Sequence, residues 1–246
     1  MHPVIVKCGP FTIYAYGFLV SLAFIVTSYL IAKDSQRYSI PKNSLWDFLL
    51  LLLIAGLVGA RLFHVSLNLS HYIKNPLEIV NIQGGGLAIQ GGIIASIIAG
   101  AIFLSKNRLP FWKAGDLVMQ YLPLGQAIGR IGCFMNGCCF GIPFAKDTLL
   151  RHPTQVYLSL ALLSIYILLR IISQKKRFDG EIFLLYFLLY APARFMIDFL
   201  RGDLTTIFAG LNMSQMINII LFAVSLVLYY LRRRYGNTQI KGPGKR

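Results

Sequence analysis

The sequence predicts an all-α integral membrane protein of about seven transmembrane helices, with the amino terminus outside and the carboxyl terminus in the cytoplasm. Three observations carry this. Hydrophobic residues are 56% of the 246 and charged residues only 13%, where soluble domains carry roughly 25% charged. Apolar runs of about 20 residues, the length that crosses ~30 Å of hydrocarbon, recur along the chain. The basic residues also fall mostly in alternate loops. The same composition, with a mean hydropathy of +0.63, excludes a disordered chain, a collagen and a disulfide-stapled mini-protein, and it argues against a soluble enzyme.

Seven spans follow: Ile13–Ala32, Trp46–Ser66, Leu87–Ser105, Ala114–Gly129, Pro153–Ser173, Glu181–Leu200 and Ala209–Leu231. The fourth is short, with Asp116 at its start and Pro123 inside. Of the 24 Lys and Arg, 16 lie in the first, third and fifth loops and the tail, and five lie on the opposite side. The positive-inside rule then places the basic loops in the cytoplasm. If the fourth span did not cross, the two richest basic segments would change sides, so the charge pattern favours seven spans over six. The net charge of +15 is thus loop charge facing anionic lipid rather than a nucleic-acid footprint. The amino terminus lacks a basic flank before its apolar run and is not read as a cleaved signal peptide. Residues 1–234 read as one polytopic membrane domain. Residues 235–246 read as a polar, Gly/Pro-bearing, disordered cytoplasmic tail.

Polar groups inside a bilayer are costly, ~2.5–3.5 kcal/mol for a central Arg on insertion scales, so their positions point to function. Here they gather at the outer ends of the spans: Tyr14 and Tyr16 in the first, Arg61 and His64 in the second, Gln83 to Gly92 before and in the third, Gln126 and Arg130 in the fourth. His152, Thr154, Gln155 and Tyr157 open the fifth, Tyr190, Arg194, Asp198 and Arg201 close the sixth, and Ser214 and Gln215 open the seventh. This outlines a polar cavity facing the outer leaflet. In the sixth span Tyr190, Arg194, Asp198 and Arg201 share a helical face. Asp198 either neutralises Arg194 as a structural pair or holds its guanidinium for an anionic ligand, and the planar fork suits a phosphate ester.

Gly129–Gly141, GRIGCFMNGCCFG, is the densest segment. Its glycines predict a tightly turning backbone after Arg130. The four cysteines, Cys8, Cys133, Cys138 and Cys139, all fall outside. Their C-x4-CC spacing is no standard zinc pattern. A disulfide from Cys133 to Cys138 or Cys139, and small buried residues in a turn, both fit; no base stands beside any of them in sequence. His152 precedes Pro153 at a helix start, either as a cap or as a group facing the cavity.

At these residues the chain resembles the prolipoprotein diacylglyceryl transferase family, from Gly9 to about Leu226. The matching pieces are Tyr14–Gly17, Gly59–Arg61, Gly85–Leu87 with Gln90–Gly92, Gly129–Gly132 through Gly137, His152–Gln155 with Tyr157, Tyr190 with Arg194–Phe195 and Asp198–Phe199, and Met213–Gln215. The resemblance implies transfer of the sn-1,2-diacylglyceryl group of phosphatidylglycerol to the lipobox cysteine of a preprolipoprotein signal peptide. A thioether forms and glycerol phosphate leaves, the first step of bacterial lipoprotein maturation. It implies a multi-pass protein of the bacterial cytoplasmic (inner) membrane, with an outer-leaflet site in contact with membrane lipid, and no metal, cofactor or nucleic acid. Arg130, Arg194, Tyr16 and His152 are the catalytic candidates. Arg130 and Arg194, with Tyr190, Asp198, Gln90, Gly91, Gly92, Asn136, Gly141, Gln155 and Arg61, are the substrate-binding candidates.

Three positions depart from the family pattern: Gln90 stands where a histidine is usual, Cys133 where asparagine is, and Leu158 where a carboxylate is frequent. Glutamine hydrogen-bonds but does not take a proton usefully. These changes motivate a second reading, a non-catalytic or altered-substrate paralogue that binds lipid or lipoprotein precursors. A third, an anion transporter, conflicts with polar groups confined to one leaflet.

Overall fold

The computed structural model describes residues 4–8, 11–80, 85–145, 150–203, 205–208 and 210–240. Gln83 and residues 241–246 of the tail lie outside them. Helix dominates the described residues, and among them seven helices of 18 residues or more stand where the seven apolar runs lie. They are α1 (Ala15–Asp34), α2 (Lys42–Leu67), α4 (Ile89–Lys106), α5 (Phe111–Asn136), α6 (Thr154–Ser173), α7 (Glu181–Asp198) and α8 (Met213–Ile240); α3 (Leu69–Lys74) is a short turn of helix after α2. Helical backbone thus continues through residues 235–240. Five of the long helices are long and apolar enough to cross a membrane: α1, α2, α4, α6 and α8. The other two, α5 and α7, each hold a proline and three charged residues, Lys113, Asp116 and Arg130 in α5 and Glu181, Arg194 and Asp198 in α7. Large apolar side chains such as Ile25, Leu67, Ile97, Leu160 and Ile220 are exposed, as on a surface that meets lipid rather than water.

Two small hairpins, not foreseen in the sequence, accompany the helices. β1 (Val4–Cys8) pairs antiparallel with β2 (Phe11–Tyr14), and β3 (Thr206–Phe208) with β4 (Leu211–Asn212). Where the sequence was read as a short fourth span and then a tight turn, the structure has a 26-residue helix that runs seven residues past Gly129. The glycines do not break it: Gly132 is packed, a Cβ there meeting Tyr16 and Leu19 of α1 at 3.4 Å. The chain turns only at Gly137, with φ +77°.

The chain divides into two compact units, residues 34–114 and residues 1–33 with 115–246. In the first, α2 and α4 run antiparallel at backbone contact. A Cβ on Gly91 would fall 2.4 Å from the Gly59 carbonyl oxygen and 2.2 Å from Phe63 Cβ. Small residues give close helix approach in a medium where apolar association has no hydrophobic drive. The Ser96 hydroxyl adds a hydrogen bond to the Leu52 carbonyl at 3.1 Å.

In the second unit the core is built on α5, α6 and α7. Ile165, Leu169, Ile182 and Tyr186 form one buried cluster, and Ala127, Leu158 and Leu162 another. The Ser159 hydroxyl donates to the Ala127 carbonyl at 2.9 Å and ties α6 to α5. At the opposite end of α5, buried Asp116 accepts from the backbone N–H of Gly180 (2.9 Å) and Phe183 (3.0 Å) and from Lys176 Nζ (3.2 Å). It latches α5 to the turn between α6 and α7. Gln215, read as part of the polar cavity, is instead half of a capping box: it donates its N–H to Asn212 Oδ1 (2.9 Å) and accepts the Asn212 N–H (3.0 Å) at the start of α8.

Candidate active site

The ends of α5, α6 and α7 converge on one small pocket. It is lined by Arg130, Cys139, Thr154, Gln155, Leu158, Arg194, Ile197 and Arg201, which stand close enough together that no water-sized space is enclosed between them. Arg130 comes from the last two turns of α5, Thr154 and Gln155 from the first turn of α6, and Arg194 and Ile197 from the last turns of α7. Arg201 follows α7. The amino end of α6 turns its first residues to the pocket, and its dipole adds to the attraction for an anion.

Local backbone crossing brings these groups together. The Gly141 N–H donates to the His152 carbonyl (2.9 Å), Ile142 N–H to the Leu200 carbonyl (2.9 Å), and Gly202 N–H to the Phe140 carbonyl (3.2 Å). Gly141 bridges Arg201 directly. A Cβ there would fall 2.6 Å from His152 Cβ and 2.7 Å from the Leu200 oxygen, so only glycine fits the crossing. The Thr154 hydroxyl donates to the Cys139 carbonyl (2.7 Å) and the Gln155 amide to the Cys138 carbonyl (2.5 Å). These pin Cys139 in the left-handed region, φ +64°, a strained conformation for a residue with a Cβ.

The charges are arranged for an anion. Arg194 Nη2 lies 3.1 Å from Asp198 Oδ1, and Arg201 Nη1 lies 3.8 Å from the same oxygen. Arg201 also forms a two-pronged contact with Asp203, at 2.9 and 2.6 Å, and this guanidinium holds the Asp203 carboxyl below its ordinary range. Among the described residues no carboxylate pairs with Arg130. Three guanidiniums therefore meet two carboxylates, an excess of charged donors that suits a phosphate diester. Gln155 is 2% exposed, and its Oε1 has no partner among the described residues. A buried acceptor of this kind suits a ligand hydroxyl.

Sequence-predicted residues divide as follows. Arg130, Arg194 and Gln155 line the pocket. Asp198 stands behind two of its arginines. Tyr190 lies within electrostatic range of Arg194 and stacks on Tyr186 with ring centroids 5.4 Å apart. Tyr16 lies within electrostatic range of Arg130 and the three cysteines. Asn136 hydrogen-bonds Cys138. His152 is not in the lining: its ring packs on Phe144 at 3.9 Å between centroids and approaches the Tyr157 hydroxyl at 3.4 Å. Gln90, Gly91, Gly92 and Arg61 belong to the unit of residues 34–114. There Gly91 and Gly92 form the α2–α4 contact. Buried Arg61 donates to the carbonyls of Ile79 (2.9 Å), Gly85 (2.7 Å), Gly86 (2.9 Å) and Glu78 (2.5 Å), while Gln90 is exposed on the first turn of α4. The candidate set left out Arg201, Cys139 and Thr154. The spacing of Arg201 from Asp198 was a signal for the first, and the place of Thr154 among the polar residues opening the fifth span was a signal for the third; nothing local in the sequence marked Cys139.

Comparison with known proteins agrees with this chemistry. The family profile described as prolipoprotein diacylglyceryl transferase matches residues 3–231. The chain is 32% identical to a phosphatidylglycerol–prolipoprotein diacylglyceryl transferase of Bacillus cereus and to one of Bacillus thuringiensis, and 31% identical to one of Bacillus cytotoxicus. Each comparison covers 95% of this chain and 93% of the relative. A profile match over nearly its whole length, with these identities, places the chain in the prolipoprotein diacylglyceryl transferase family.

Proposed function

We propose that this enzyme moves the sn-1,2-diacylglyceryl group of phosphatidylglycerol to the thiol of a lipobox cysteine in a preprolipoprotein. The observation that carries the reading is the convergence of the Arg130, Arg194 and Arg201 guanidiniums on one pocket that holds fewer carboxylates than guanidiniums. In the reaction the thiol sulfur bonds to the glyceryl carbon, and the carbon–oxygen bond to phosphate breaks. The electron pair leaves on the phosphate oxygen, so glycerol phosphate departs as an anion with one more negative charge. Arg130 and Arg194, already placed, stabilise the charge that develops there. Asp198 holds Arg194 in position. The partnerless Gln155 Oε1 accepts a hydroxyl of the head-group glycerol, and Tyr190 and Tyr16 stand ready to hydrogen-bond the phosphate or its glycerol. Arg61 acts at one remove, by holding the main-chain carbonyls of Glu78, Ile79, Gly85 and Gly86. The acyl chains remain in lipid.

The same reading makes all seven long helices membrane spans, with the amino terminus outside, the carboxyl terminus in the cytoplasm, and the pocket at the outer leaflet of the bacterial inner membrane. Helices α5 and α7 are less apolar because they carry charged residues, and of these Asp116 of the latch and Arg194 and Asp198 of the site are buried. The loop-charge asymmetry supports the orientation.

The experiment is a transfer assay on the purified protein in nanodiscs, with phosphatidylglycerol and a lipobox peptide, read by mass spectrometry. A diacylglyceryl mass gain, absent when the peptide cysteine is replaced by serine, is the expected result. Absence of the gain under conditions where a Bacillus relative is active would replace this reading with the precursor-binding paralogue.

A further inference from the structure

One side chain lining the pocket is an acid that is neither permanently charged nor inert. Arg130, Arg194 and Arg201 stay protonated, and Leu158 and Ile197 have nothing to exchange. The Thr154 hydroxyl is committed to the Cys139 carbonyl, and the Gln155 amide is no base. Cys139 remains. We propose that Cys139 accepts the proton of the incoming peptide thiol, an assignment that rests on the transferase reading above.

The backbone is arranged to present this sulfur. The turn at Gly137 brings the Cys138 N–H to the Cys133 carbonyl (3.2 Å). The sulfurs of Cys133, Cys138 and Cys139 then lie within 4.8 Å of one another. Cys139 itself is held at φ +64° by Thr154. The groups acting on its sulfur come from several elements: Cys133 and Arg130 of α5, Cys138 beside it, Arg201 after α7, and Tyr16 of α1. Hydrogen bonding from Cys133 is the largest influence. Burial pushes the other way, and Cys138, Arg201 and Arg130 side with Cys133, which leaves the Cys139 thiol lowered to about 5. Cys139 is thereby the most acidic of the three thiols.

The proton balance closes within the pocket. The peptide S–H proton passes to Cys139 Sγ as the carbon–sulfur bond forms and the phosphate oxygen leaves. A phosphate monoester has a second pKa near ~6, so the departing glycerol phosphate takes the proton from Cys139 and restores the thiolate. A bound diester, being negative, raises the affinity of Cys139 for a proton before transfer, which brings it closer to the ~8.5 of the thiol it must serve. This gives the chain a proton acceptor in its pocket although Gln90 replaces the family's usual histidine.

The test is the pH–rate profile of Cys139→Ser and Cys139→Asp in the nanodisc assay. Cys139→Ser is expected to lose about 10²–10⁴-fold in kcat, the range for a general base, with KM for phosphatidylglycerol changed less than about 3-fold. Its rate should climb with hydroxide where the unmodified enzyme is flat, and the Asp variant should recover part of the loss. Wild-type turnover in Cys139→Ser would overturn the assignment. So would a loss that keeps the wild-type profile and that aspartate does not relieve. If Cys139→Ser does not fold, the unmodified enzyme decides: modification of Cys139 by a small methanethiosulfonate, mapped by mass spectrometry, must abolish turnover and be slowed by phosphatidylglycerol. Full modification with activity retained overturns the assignment. Absence of transfer by the unmodified enzyme would instead remove the transferase reading itself.

Discussion

The Arg194 guanidinium lies 3.1 Å from the Asp198 carboxylate, one turn further along α7, and both are buried. The pair is held by charge rather than by a well-directed hydrogen bond, since neither oxygen of Asp198 has a hydrogen-bond partner among the described residues. Removing one member of a buried pair leaves the other uncompensated, at a cost of about 3–5 kcal/mol. Asp198→Ala is therefore expected to lower the unfolding free energy by about that much, with a matching fall in Tm in detergent. A change below about 1 kcal/mol would show that Arg201 and solvent already suffice.

Arg130 presents the opposite case. Among the described residues no carboxylate pairs with it, so its truncation strands no buried partner. Arg130→Ala should reduce turnover by about 10²–10³-fold, as for loss of one stabilising donor at a developing oxyanion, while Tm stays near the wild-type value. Equal loss of Tm in Arg130→Ala and Asp198→Ala would contradict this division of labour.

Gln155 ought to read the head group. Its Oε1 is a buried acceptor, so a lipid with a glycerol hydroxyl is favoured over phosphatidic acid. A neutral hydrogen bond contributes about 0.5–1.5 kcal/mol, or roughly 3–10-fold. Gln155→Met should narrow the preference for phosphatidylglycerol by that factor in competition assays. An unchanged ratio would assign Gln155 only to holding the Cys138 carbonyl.

Two glycines make a contrast in space. A Cβ at Gly91 meets Phe63 Cβ at 2.2 Å, whereas a Cβ at Gly129 meets nothing within 4 Å. Gly91→Ala should destabilise by about 1–3 kcal/mol through forced separation of α2 and α4. Gly129→Ala should cost no stability, and its thermal unfolding compared with that of Gly91→Ala checks both.

Acidity gives a further check on Cys139. Its thiol is held at about 5 in the fold against an ordinary value of 9.0. For a lowered acid, the stabilisation is complete above the unfolded value and is lost as pH falls through the folded one. The stability difference between wild type and Cys139→Ser should thus shrink steadily from about pH 9 to about pH 5. A difference independent of pH over that window would place the thiolate elsewhere in the cluster.

Much of this was legible from the chain alone, for a local reason. Twenty-residue apolar runs specify helices without reference to anything distant, and Arg194 with Asp198 needs only the i, i+4 spacing. The length of α5 was hidden because glycines that suggest a turn are kept helical by their packing, Gly132 against Tyr16 and Leu19. Arg201 and Cys139 were harder still. They meet through hydrogen bonds linking Phe140–Ile142 to His152 and to Leu200–Gly202, which are separated by up to sixty residues. Gly91 and Gly92 stood among the substrate-binding candidates through the family resemblance, and their motif also meets the demand of helix packing.

The Asp116 latch bears on how the protein is made. Its partners Lys176, Gly180 and Phe183 lie 60, 64 and 67 residues later. As the ribosome delivers the chain, α5 emerges with a carboxylate whose donors have not yet been synthesised. The seven-span reading then makes insertion a deferred step: α5 waits in the translocon or at the bilayer surface until α7 arrives, and the two enter together. Nascent chains arrested before Lys176 should leave α5 accessible to water-borne labels, and chains arrested after α7 has cleared the ribosome should protect it.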